Sequence, residues 1–349
     1  MILAALLLAG TPAGQTSDPA RCEAIRKAIP PTQRCVATPG GIVIAGSAER
    51  AAQLSRIATS GEGRFEQRFG RKVPAYAVVE TGDGTRNAAL DAILERRGYV
   101  SRLPWLSPEA MANAYRASIT RAVTAQAASR NLTAAQTSAL IESALAQQSA
   151  KWDPATLAEL ETGTLPHELG HGWFIKAFWP TSAPKAGDHY GGPAPDWMDE
   201  TAAVLMESDA LAEKRRRQFA AIYSGSDAAA RASLIDLGTF LSGGHPALPK
   251  LDRSTSGGSV NVLTGEEAAR IAKAAGSFYL QARLFADYVL DRSGDPAAFR
   301  SAADAFAAGK DSAGWLAASG PRLRLPSDIP ALQKDWEQWL AQHLAPRKD

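Results

Sequence analysis

Residues 164–173 read TLPHELGHGW, and the fold and chemistry of the chain turn on this stretch. It fits the pattern H-E-x-x-H. On an α-helix, positions i and i+4 lie one turn apart on the same face, so the imidazoles of His167 and His171 can both point at a single zinc ion. Glu168, between them, can then reach a water beside that ion. The whole chain holds five histidines, so two of them in one helical turn is a marked concentration. The bland alternative is a solvated helix face carrying two ordinary histidines. Trp173 and Phe174 are expected to pack the helix inward.

A catalytic zinc needs a third protein ligand and an open fourth position. Six residues beyond His171 stands Ala177, so a histidine at that spacing is ruled out. His189 lies in a Gly- and Pro-rich loop spanning 177–195, with no helix to fix it. Glu200 is the better candidate. It falls in PDWMDETAAVLME (195–207), read as a helix that begins near Asp196 and runs past Glu207. Glu200, Ala203, Val204 and Glu207 then share one face.

With Trp197-Met198-Asp199-Glu200 followed by Ala203, the chain resembles the gluzincin metallopeptidases, which carry W-[LM]-x-E-x-x-A on a second helix. Some members also place a glutamate seven residues beyond the ligand, where Glu207 stands here. The nearer likeness is to the bacterial peptidase MA-like proteins: an H-E-L-x-H helix, a proline–tryptophan segment, and a later tyrosine-bearing helix like GSFYLQARLFADYV (276–289). The likeness covers roughly residues 160–295. It implies a zincin-like fold, one Zn2+ held by His167, His171 and Glu200, Glu168 as general base, and hydrolysis of peptide bonds in a peptide or protein substrate. Tyr279, His245 and His189 are the candidates for a hydrogen bond to the oxyanion. The alternative implied function is a zinc-binding module that has lost activity and acts as a binding protein outside the cytoplasm.

The chain departs from the group in three places, the first being Thr201, where the group usually has a glycine after the ligand. The stretch between His171 and Glu200 is about ten residues longer than in many members, the excess falling in the 177–195 loop. The G-x-M-E-N segment of related aminopeptidases is absent.

The 349 residues, 45% hydrophobic and 21% charged, suit a globular protein with a sizeable core. A net charge of +2 implies neither a nucleic-acid nor an anionic-membrane partner. MILAALLLAGTPAGQ resembles a secretory signal peptide cut after Ala13, the other reading being an apolar element of the fold. It is too short to span a bilayer, and no later segment is expected to do so in the mature chain. Cys22 and Cys35 follow closely and are expected to pair in an exported, periplasmic or extracellular protein.

Along the chain, 14–46 reads as an extended segment. A helix is expected from Ser47 to Phe69, a strand in KVPAYAVVE (72–80), a helix near 87–97 and a short strand in YVSRLPWL (99–106). Ser107-Pro108, Thr133 to Gln136 and Asp153-Pro154 read as helix starts, and Pro166 as the first turn of a separate helix bearing HELGH. Lys214-Arg-Arg-Arg217 reads as a solvated helix face or a junction, Thr264 to Asp291 as a long helix stopped by Gly294, and 329–344 as a last helix. The expected class is α+β, mainly helical. A small mixed sheet forms an N-terminal lobe to about residue 160, and a helical part carrying the site covers 161–349, the whole of 47–349 being one metallopeptidase domain.

Overall fold

The structure is a computed structural model that describes residues 19–82, 85–149, 153–181, 192–245 and 265–344. The apolar leader falls outside these residues, as do His189 and Thr264. The strands are β1 (Arg34–Ala37), β2 (Gly41–Ala45), β3 (Tyr76–Thr81) and β4 (Ser101–Leu106). The helices are α1 (Ala20–Glu23), α2 (Ala48–Phe69), α3 (Ala88–Arg96), α4 (Pro108–Ser129), α5 (Ala134–Gln148), α6 (Pro154–Phe178) and α7 (Asp196–Val204). They continue as α8 (Asp209–Ser224), α9 (Ala228–Arg231), α10 (Leu237–Ser242), α11 (Gly265–Ser293), α12 (Ala298–Ala307), α13 (Ser312–Ser319) and α14 (Ile329–His343). The protein is therefore α+β and mainly helical, with all described strands before residue 107. None of the described helices is long and apolar enough to cross a membrane.

The sheet is mixed, in the order β1-β2-β3-β4. β1 runs antiparallel to β2, whereas β2, β3 and β4 are parallel. β1 and β2 lie inside the segment read as merely extended. GIVIA is buried along its whole length, so its run of apolar residues lacks the alternation that marks a strand with one wet face. Alternate residues separate two cores. Val43, Ala45, Tyr76 and Val78 face α2 and α6, while Ile42, Ile44, Ala77 and Val79 face Leu90 and Leu94 of α3. Helices α2 and α3 thus lie on opposite faces although the strand order advances in one direction. The two crossovers therefore have opposite hands, and only one of them follows the usual right-handed rule.

Cys22 and Cys35 form a disulfide with Cα atoms 5.7 Å apart, tying α1 to β1. On the inner face, Arg50 of α2 donates to both Glu161 oxygens at 2.5 Å and to Glu80 of β3 at 2.6 Å, and Trp105 of β4 donates to Glu161 at 2.7 Å. Glu161 is 3% exposed and lies on α6, so this network seats that helix against the sheet.

Helix α6 corrects one expectation. It is a single helix of 25 residues, capped by Asp153, with Pro166 in its interior rather than at the start of a new one. Proline removes one backbone donor and ordinarily costs about 3 kcal/mol there. Packing on both sides of it carries the helix through: Leu165, Leu169, Trp173 and Phe174 are all buried in the main core, and the backbone of Gly61 on α2 comes close to the proline ring. A second correction concerns α7, which stops at Val204. Leu205 to Glu207 form a turn, and Ser208 caps α8 by accepting from Leu211 N–H.

Candidate metal centre

Two helices approach closely to make the site. A Cβ on Gly170 of α6 would lie 2.9 Å from Met206 Cγ and 3.0 Å from Ala203 Cα, so any larger residue there would force its neighbours to shift. Trp197 anchors the start of α7. It is fully buried among Phe240, Phe285, Phe306 and Trp315, and its Nε1 donates to Ser312 Oγ at 3.2 Å. Glu200, one turn further on, is carried onto the face of α6 that bears the two histidines.

The two histidines share a face of α6 as their spacing requires, and Glu200 of α7 meets them there. His167 Nε2 is 3.6 Å from Glu200 Oε1, and His171 Nε2 is 3.8 Å from Glu200 Oε2. The imidazole rings are 5.0 Å apart and nearly perpendicular. Among the described residues, this is the group of His, Cys, Asp and Glu whose ligand atoms gather closely enough to hold a metal, all within 4.8 Å of one another. Ligands about 2.0–2.1 Å from a tetrahedral zinc stand roughly 3.4 Å apart, so the two His–Glu spacings need only a small closure. Two imidazoles and a carboxylate are also the donor types zinc takes, and the residues fit the ion on both counts. His167, His171 and Glu200 are buried, whereas Glu168 is exposed.

The electrostatics point the same way. Burial pulls the His167 imidazole down, but the charge of Glu200 and the hydrogen bond to Glu207 outweigh it and raise it to about 9. Two carboxylates around one imidazole make a field that favours a cation. Burial pushes Glu207 up, yet its bonds to His167 and Arg215 hold it below the ordinary glutamate value. The Glu207 carboxylate meets His167 Nδ1 at 2.9 Å, which leaves Nε2 facing the shared point. A histidine whose other nitrogen is bonded to a carboxylate is the usual second layer of a metal site.

Tyr279 of α11 stands edge-on to His167 with ring centroids 6.3 Å apart. His245 is 2% exposed, so it is a core group rather than an ordinary loop histidine, with its ring 4.8 Å from Phe278 and 5.4 Å from Tyr279. His343 is exposed and stacked on Trp339. The basic run 214–217 is divided: Lys214 and Arg217 are exposed, as on a solvated face, while Arg215 and Arg216 lie at a junction between elements. Arg215 is turned onto Glu207 and Arg216 pairs with Asp287 at 2.8 Å. The signal that could have found Arg215 is its place eight residues after Glu207, across a turn marked by the Ser208 cap.

No family model matches the chain, and neither the curated proteins nor the solved structures compared with it include a similar one.

Proposed function

We propose that the protein is a zinc-dependent peptidase with a zincin-like fold, similar to the gluzincins and nearest to the peptidase MA-like proteins. The observation that carries this reading is the convergence of His167 Nε2, His171 Nε2 and the Glu200 carboxylate, with Glu168 beside them and exposed. His167, His171 and Glu200 would hold the ion, which when bound supplies a Lewis acid that lowers the pKa of water and polarises a carbonyl. Glu168 takes a proton from the attacking water as its oxygen bonds to the scissile carbonyl carbon. As the carbon–nitrogen bond breaks, Glu168 returns that proton to the leaving amine. Glu207 keeps His167 oriented throughout. The Cys22–Cys35 disulfide supports an oxidising compartment, and with the apolar leader it favours export.

The test pairs metal analysis of the purified protein with digestion of a peptide library. The account expects about one zinc per chain and cleavage that a chelator abolishes. Zinc without cleavage of any peptide would replace the peptidase with a metal-binding module, and absence of zinc affinity would end both readings.

A further inference from the structure

Arg215 is turned inward from α8. Its Nε donates to Glu207 Oε1 at 2.8 Å and to Oε2 at 2.7 Å, and its Nη2 also donates to Oε1. Glu207 is 2% exposed, and the same Oε1 meets His167 Nδ1. The guanidinium also lies over the ring of Tyr279, 5.6 Å from its centroid. One cation therefore touches both the turn and the helix that flank His167. The seating of α8 does not depend on it, because Arg216 pairs with Asp287 and Phe219 and Ala212 are buried on the same helix. A glutamate carboxylate turns freely about its last torsion, whereas a guanidinium fork fixes its plane.

We propose that Arg215 is a positioning residue for the metal centre: it clamps the Glu207 carboxylate so that Glu207 holds His167 by Nδ1 and leaves Nε2 to the point shared with His171 and Glu200. This rests on the reading that those three residues hold a metal, and not on peptide cleavage. Lysine is a poor substitute, since it keeps the charge but loses the fork and the stacking on Tyr279.

The experiment uses the full chain with Co2+ as the probe, measuring affinity by chelator competition, the visible absorption of the bound ion, and thermal melting. Arg215→Lys keeps a cation against Glu207. The pair Arg215→Met with Glu207→Gln removes both charges, so neither is left buried alone. Arg215→Lys and Glu207→Gln are each expected to weaken Co2+ binding about 10-fold or more and to alter its absorption alike. The double variant is expected to bind no more weakly than Glu207→Gln alone, because Arg215 acts through that carboxylate. An Arg215→Lys protein that melts lower yet binds Co2+ like wild type would overturn the proposal and leave a structural ion pair. So would a double variant whose loss exceeds that of Glu207→Gln by a further factor of its own. Failure of the wild-type protein to bind Co2+ would overturn both this role and the metal centre. The stated pattern in a protein that cleaves no peptide would uphold the clamp and sink only the peptidase.

Discussion

The α4–α5 hairpin and the α6–α7 pair make opposite use of similar material. Both hairpin helices have strong caps: Ser107 accepts from Ala110 N–H, and Thr133 and Gln136 bond each other's backbone in a capping box. Yet α4 buries only Ala112 and Ala127, and Tyr115 and Leu140 stand 47% and 45% exposed. In α7, every residue from Trp197 to Val204 is buried, although Pro195 at its start gives no side-chain cap. The hairpin holds its form through local signals, whereas α7, which carries Glu200, is defined by what it packs against. The candidate site is thus built in part on a helix that tertiary packing, rather than a local signal, defines.

This contrast predicts a graded set of responses. The largest belongs to Trp197→Ala, which empties the aromatic cage at the start of α7 and should cost about 3–5 kcal/mol in urea denaturation. Tyr115→Ala in the hairpin should stay within about 0.5 kcal/mol. Equal losses at the two sites would erase the distinction.

The same contrast decides what could be read from the amino-acid order. The bounds of α2, α3, α4, α5 and α14 follow from Ser47, Asn87, Ser107, Thr133 and Asp328, whose side chains cap the helices themselves. The shared face of His167 and His171 was legible because helical spacing is itself geometry, whereas Glu200 stood out through the likeness of the 197–203 segment to the gluzincins; these three side chains converge on one point. Pro166 misleads because its local meaning is a helix start, while the packing around Leu165 and Trp173 makes it a mid-helix residue. Arg215 was hidden because a run of four basic residues reads as solvated, and only the turn after Val204 shows which of them faces inward. β2 was missed because a strand buried on both faces has no alternation to detect.

Next in size is the ion pair beneath the site. Asp287 accepts from Arg216 and Arg283, and Arg283 also donates to Val204 O at 3.1 Å at the end of α7. Burial pushes the Asp287 carboxyl up, but the two guanidinium groups outweigh it and hold it below its ordinary value. Its contribution to stability is therefore present above the unfolded pKa of about 3.9 and is lost as pH falls through the lower folded value. Asp287→Asn should cost roughly 1.5–3 kcal/mol at pH 7 and show a shallower loss of stability below about pH 4 than wild type. Parallel acid limbs in the two proteins would contradict the assignment.

Gly170→Val tests the contact between α6 and α7 itself. Overpacking against Met206 and Ala203 should cost about 1–3 kcal/mol and weaken metal binding at the same time. Lost stability with unchanged zinc affinity would show that the approach of the helices does not set the position of Glu200. A smaller effect again belongs to the cap of the hairpin: Thr133→Ala removes a capping box and should cost about 1 kcal/mol with no change in zinc affinity.

The central claim is that Glu168 moves the proton while His167, His171 and Glu200 hold the metal, and one paired measurement tests it most directly. Bound zinc and peptide turnover are measured side by side for Glu168→Gln and Glu200→Ala. Glu168→Gln leaves the three ligands untouched, so its zinc content should match wild type while turnover falls by about 10²-fold or more. Glu200→Ala removes a ligand, so zinc affinity and turnover should fall together. Loss of zinc from Glu168→Gln with retention in Glu200→Ala, or wild-type turnover in both, would contradict the account.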